Sequence, residues 1–123
     1  MREILFRGKS VYTGKWAVSV CPHGVMRSGH LCDDFILETV GQYTGLTDKN
    51  GTKIFEGDIV EHHLQGDILV NRGVVNWDKE NARWAYQLNT MNPCFALYNP
   101  KAFEVIGNIH DNPELIGGTE DGE

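Results

Sequence analysis

Apolar and polar residues alternate along most of this chain, and nowhere do apolar positions recur at the 3.6-residue spacing of a three-turn amphipathic helix. Ile4 and Phe6 open the pattern, Val11 to Val20 (VYTGKWAVSV) reads as a strand broken by glycine, and Phe35 to Val40 (FILETV) fits a short strand or one helical turn. Fourteen glycines punctuate these short runs. The pattern predicts a mainly β protein with few or no long helices, built from small barrels or coiled sheets.

The stretch QYTGLTDKNGTKIFEGDIV, Gln42 to Val60, predicts a hairpin, a tight turn and the start of a strand in unbroken succession. Asp48, Asn50 and Gly51 supply the turn: Asp favours its first position, and Asn and Gly tolerate the left-handed backbone that closes it. Tyr43 and Leu46 on one arm, and Ile54 and Phe55 on the other, form the apolar faces. Glu56, Gly57 and Asp58 then turn the chain sharply into a strand that begins at Ile59 and continues through EHHLQGD.

A reversal around Gln65-Gly66-Asp67 leads into DILVNRGVVNWD, and this run of turn, loop and strand resembles the strands of small SH3-like barrels. Ala82 to Leu88 (ARWAYQL) predicts another strand over the core, and Phe103, Val105 and Ile109 a last one. Pro93 and Pro100 interrupt pairing between them. Asp111-Asn112-Pro113 ends the last strand, Glu114 to Ile116 fits one helical turn, and GGTEDGE at 117–123 predicts a flexible acidic tail.

At 123 residues the chain suits one domain that can hold its fold without disulfides. The formal charge of -6 is uneven: five basic residues face four acidic ones up to Gly41, whereas six face thirteen from Gln42 onward. Phosphate backbones recruit clustered Lys and Arg, so an acidic chain without a basic run is poorly suited to nucleic acid. No apolar run approaches the roughly 20 residues that span a bilayer, and MREILFRGKS lacks the apolar core of a signal peptide. Those features, with three cysteines and no CxxC pair, predict no membrane association, reduced thiols and residence in the cytosol where the chain is made.

Three blocks, EILFRGK with a following GKW strand, VGQYTGLTDKNGTKIFEGDIV and FEVIGNIHDNPELI, resemble the YopX family of small proteins encoded in bacteriophages and prophages. The resemblance implies one YopX-like domain of coiled sheets over 1–123, with an N-terminal β region at about 1–41 and a C-terminal barrel-like region at about 42–116. It also implies an accessory phage gene acting in a bacterial host cytosol. It carries over no catalytic residues.

Cys21, His23, His30 and Cys32 form a CxH…HxC pattern of thiolate and imidazole donors. Residues two apart share a strand face, which permits chelation without demanding it; free thiols beside exposed histidines fit the same spacing. Adjacent His62 and His63 point to opposite faces, which separates them as ligands. No serine lies in a GxSxG turn, and the recurring glycines lack a phosphate-loop arrangement. Most aromatic residues are needed for the core, and Trp84 beside Arg83 is the candidate for an exposed interaction surface.

The leading expectation is a non-enzymatic module, without catalytic residues, cofactor or metal, that binds a host or phage protein and is also able to self-associate. A module that holds single-stranded nucleic acid on exposed aromatics is the alternative. A metal-dependent enzyme using Cys21, His23, His30 or Cys32 ranks below both.

Overall fold

A computed structural model describes residues 4–24, 26–27, 30–31, 34–64, 68–88, 95–97 and 99–116. They are mainly β, with only 3-10 turns of three or four residues as helix. The chain divides into two compact units, Met1–Gly45 and Leu46–Glu123. The reversal at 65–67, the loop at 89–94 and the acidic tail at 117–123 lie outside the described residues.

In the first unit β1 (Phe6–Lys9) pairs antiparallel with β2 (Trp16–Ser19), Phe6 opposite Ser19 and Lys9 opposite Trp16. The Val11–Val20 run is thus a strand only in its second half. Its first half is a loop in which the Ser10 hydroxyl accepts the Tyr12 and Thr13 N–H groups, and Gly14 turns the chain at φ 70°. The other edge of β1 takes the first residues of β5 (Gly41–Thr47), Phe6 opposite Gln42. A Cβ on Gly8 would lie 2.7 Å from the Phe35 ring, so the glycine is what lets buried Phe35 close over β1. Two-residue strands β3 (Met26–Arg27) and β4 (His30–Leu31) pair with each other. The FILETV segment resolves as a 3-10 turn at Leu37–Thr39, where the Thr39 hydroxyl donates to Ile36 O and accepts from Lys9 N–H.

The second unit begins with the predicted hairpin, whose return arm is β6 (Lys53–Phe55). Gly51 closes the turn at φ 83°. After a second turn, where Gly57 holds φ 92° and the Asp58 carboxylate accepts the Phe55 N–H at 2.7 Å, come β7 (Asp58–Leu64), β8 (Ile68–Asp78), β9 (Arg83–Gln87), β10 (Phe95–Ala96) and β11 (Phe103–Asn108). They form an antiparallel sheet in the order β10-β9-β8-β7-β11.

Ile54, Val60, Val75, Tyr86, Leu97 and Phe103 form the core of this unit. Phe103 on one edge strand meets Tyr86, three strands away, edge to face with ring centroids 5.0 Å apart. Strands about 4.8 Å apart would hold those positions some 14 Å from each other in a flat sheet, so the sheet is coiled around its core. Among the described residues it remains open, with β10 and β11 as its edges rather than paired into a barrel.

Candidate interaction face

The two edges of the five-stranded sheet are finished differently. Along β11 the hairpin turn supplies the missing partners: Lys49 N–H donates to Phe103 O at 3.0 Å, and the Asp48 carboxylate accepts the Val105 N–H at 2.9 Å. The other oxygen of Asp48 accepts from Asn50 and Thr52. Asp48 is 1% exposed, so this turn residue is also a buried clip that seals a sheet edge. Further along, the Asn112 side chain accepts the Asn108 N–H. Along β10 no ladder partner lies on the outer side among the described residues.

Next to that second edge lies a run of aromatic side chains on one face. Trp77 of β8 is directly opposite Trp84 of β9, with rings 5.1 Å apart and at 73°. Phe95 of β10 is opposite Tyr86, with centroids 5.7 Å apart. Trp84 packs on the core and Tyr86 is buried in it, whereas Trp77 is 47% and Phe95 45% exposed. The more exposed indole is therefore the one in the GVVNWD strand. The register between β8 and β9 places Trp77 and Trp84 on one face, and packing against the core covers Trp84 rather than Trp77.

Arg83 lies on the opposite face, where its Nε donates to the Asp78 carboxylate at 2.9 Å. The Asn81 amide also donates to that carboxylate. The Asn81 hydrogen bond holds the Asp78 carboxyl below its ordinary pKa, partial desolvation opposes it, and Arg83 adds to the lowering. Arg83 is thus engaged in bracing the β8–β9 ribbon.

A second polar group lies across β11, β7 and β8, where Glu104, Glu61 and Arg72 stand opposite one another in register. Arg72 donates to Glu61 at 2.6 Å and to Leu115 O at 2.9 Å. Alternation places His63 on the same face of β7 as Glu61, with Nε2 3.2 Å from Glu61 and 3.9 Å from Glu104. The donor atoms of Glu61, His63 and Glu104 lie within 4.8 Å of one another, close enough to attract a cation. However, Nδ1 of His63 is buried with no hydrogen-bond partner. A metal-bound imidazole passes its other N–H to an acceptor, so the group is better described as a cross-strand charge ladder in which Arg72 compensates opposed carboxylates. His62, on the other face, stacks on Phe103 at 4.7 Å, with the Tyr86 hydroxyl 3.3 Å from its Nδ1.

Of the Cys/His pattern, Cys21 is a half-buried free thiol and His23 is exposed. His30 lies on β4, with its side chain outside the described residues, as is Cys32. The remaining turn residues are placed as described: Asn50 beside Gly51, and Gly57 before Asp58. No helix among the described residues is long and apolar enough to cross a membrane.

The chain matches the family model described as YopX protein over residues 8–117. No curated protein matches it. Its fold is similar to the crystal structure of protein EF1440 from Enterococcus faecalis, with a TM-score of 0.54 over 94% of this chain and 99% of that one. Their 23% identity makes this a likeness of fold alone.

Proposed function

The chain belongs to the YopX family, and from that premise we propose that it is a non-enzymatic binding module that acts on a protein partner, host or viral, in the phage or prophage setting implied by the resemblance of its three sequence blocks. One observation carries this reading: the sheet edge at β11 is sealed by its own hairpin turn, while the strand β10 carries the half-exposed ring of Phe95, and Trp77, two strands in on the same face, is half exposed as well. Exposed aromatics beside a strand edge are the usual anchors of protein recognition, because they offer large contact area at small entropic cost. The bacterial cytosol is the compartment proposed for this action.

The same rings also suit stacked bases, which makes single-stranded nucleic acid the rival ligand. Thirteen acidic against six basic residues beyond Gly41 weigh against it by electrostatics. The test is capture from host lysate, with and without nuclease, using the wild-type chain and Trp77→Ala side by side. A nuclease-resistant protein retained by the wild type and lost by the variant, with both equally stable, is the expected result. Recovery of nucleic acid alone, or capture indifferent to the substitution, would overturn the reading.

A further inference from the structure

The hairpin turn that seals β11 also carries a bond with chemistry of its own. We propose that Asn50–Gly51 is a self-modifying site, at which the chain converts its own asparagine to aspartate or isoaspartate, and that the Asp48 clip holds this reaction in check. The proposal goes beyond the binding reading and does not depend on it.

The reaction needs no cofactor and no second protein. The Gly51 backbone nitrogen gives up its proton and attacks Cγ of Asn50. A C–N bond forms and closes a cyclic imide, while the side-chain nitrogen takes up a proton and leaves as ammonia. Water then opens the ring at either carbonyl. Breaking the new bond to Cγ gives aspartate; breaking the old bond to the main-chain carbonyl gives isoaspartate, whose backbone runs through Cβ and Cγ and is longer by a methylene. Nothing is oxidised or reduced.

Three observations place the reaction here and show what restrains it. First, Asn50 is the only asparagine in the chain that precedes glycine, whose nitrogen is unshielded by a side chain. Asn92, Asn99 and Asn112 precede proline, which has no N–H to react. Second, Asn50 and Gly51 are both exposed, and nothing lies within 4 Å of where a Cβ on Gly51 would stand. Third, the attacking nitrogen is tied down: Gly51 N–H donates to Asp48 O at 3.0 Å, and Asn50 N–H donates to the Asp48 carboxylate at 2.9 Å. The Gly51 nitrogen cannot swing toward the Asn50 side chain until those bonds open. The rate therefore follows the fraction of time the turn is open, as amide exchange does.

The product does not refit the clip. Isoaspartate lengthens the turn between Asp48 and Thr52, whose N–H also donates to the Asp48 carboxylate. Either product adds a negative charge two residues from that buried carboxylate. The Asp48 bond to Val105 and the Lys49 bond to Phe103 depend on the same turn. Because the reaction is irreversible, a turn that has opened and reacted stays loosened against β11.

The test incubates the full chain in mildly alkaline buffer, native and in guanidinium chloride, and reads position 50 by peptide mass spectrometry with isoaspartate resolved by chromatography. Beside the wild type stand Asp48→Ala, Asn50→Ser and Val60→Ala, the last of which weakens the core without touching the turn. The denatured wild type should react at Asn50, and the native protein at least about tenfold more slowly. Native Asp48→Ala should react about tenfold faster than native wild type. It should also outpace Val60→Ala when denaturant is adjusted to give both the same stability. Aged wild-type protein should melt at a lower temperature than fresh protein, and aged Asn50→Ser should not.

No reaction at Asn50 in denaturant would overturn the site. Native and denatured chains that react alike, or an Asp48→Ala chain no faster than a Val60→Ala chain of equal stability, would overturn control by the clip. Aged wild-type protein that melts like fresh protein would overturn the loosening of the seal.

Discussion

A single carboxylate, Asp48, holds together parts of the second unit that are far apart in sequence. It accepts three backbone N–H groups, two within its own turn and one from Val105. Removing a buried acceptor strands its donors, each at a cost of about 1 to 3 kcal/mol. Asp48→Ala should therefore destabilise the protein by about 3 kcal/mol or more in urea denaturation. Asp48→Asn keeps one acceptor oxygen and should lose less. Equal, negligible losses from both would show that solvent satisfies these groups without the clip. Sequence reasoning finds Asp48 through its turn chemistry, because Asn50 and Gly51 are its immediate neighbours. It cannot find Val105, because that bond depends on where the last strand falls.

At the scale of elements, the strands and turns governed by local chemistry are those most legible in the sequence. The hairpin around Gly51, the turn at Gly57, the strand of ARWAYQL and the helical turn at Pro113–Ile116 each appear where their residues predict. Val11 to Gly14 departs from the strand pattern because Ser10 offers its hydroxyl to the backbone and so competes with the ladder. The Glu104–Glu61–Arg72 ladder is not legible at all, since it arises from the register of three strands that are far apart in sequence. Likewise, the coiling that lets Phe103 meet Tyr86 belongs to the sheet as a whole.

The β8–β9 ribbon makes a prediction of its own. The Asn81 amide, with Arg83, keeps the Asp78 carboxyl below its ordinary pKa. A carboxyl lowered on folding adds stability that is present above its unfolded value, about pH 4, and is lost as pH falls through the folded value. Asn81→Ala should shift the Asp78 titration upward by NMR and flatten that part of the acid dependence. An unmoved titration would show that Arg83 suffices.

For the whole molecule, the charge imbalance governs behaviour in solution more than it does the fold. The sequence pI is about 5.3, and half-exposed apolar side chains such as Leu64, Ile68, Leu69 and Val70 remain on the surface. At neutral pH the net charge of -6 keeps copies apart. Solubility should therefore be lowest near pH 5.3 and recover on either side, as read from turbidity against pH at low salt. A flat turbidity profile would contradict this.

The clip at Asp48 also sets an order of events during synthesis. Its partner Val105 follows 57 residues later, so a ribosome releases the hairpin long before it releases the strand that hairpin must seal. Until then a nascent chain can close the turn around Gly51, yet one carboxylate oxygen and the N–H of Lys49 face water. The second unit thus reaches its final state only when its last strand arrives, and β7 spends the interval as an exposed edge that a chaperone would recognise.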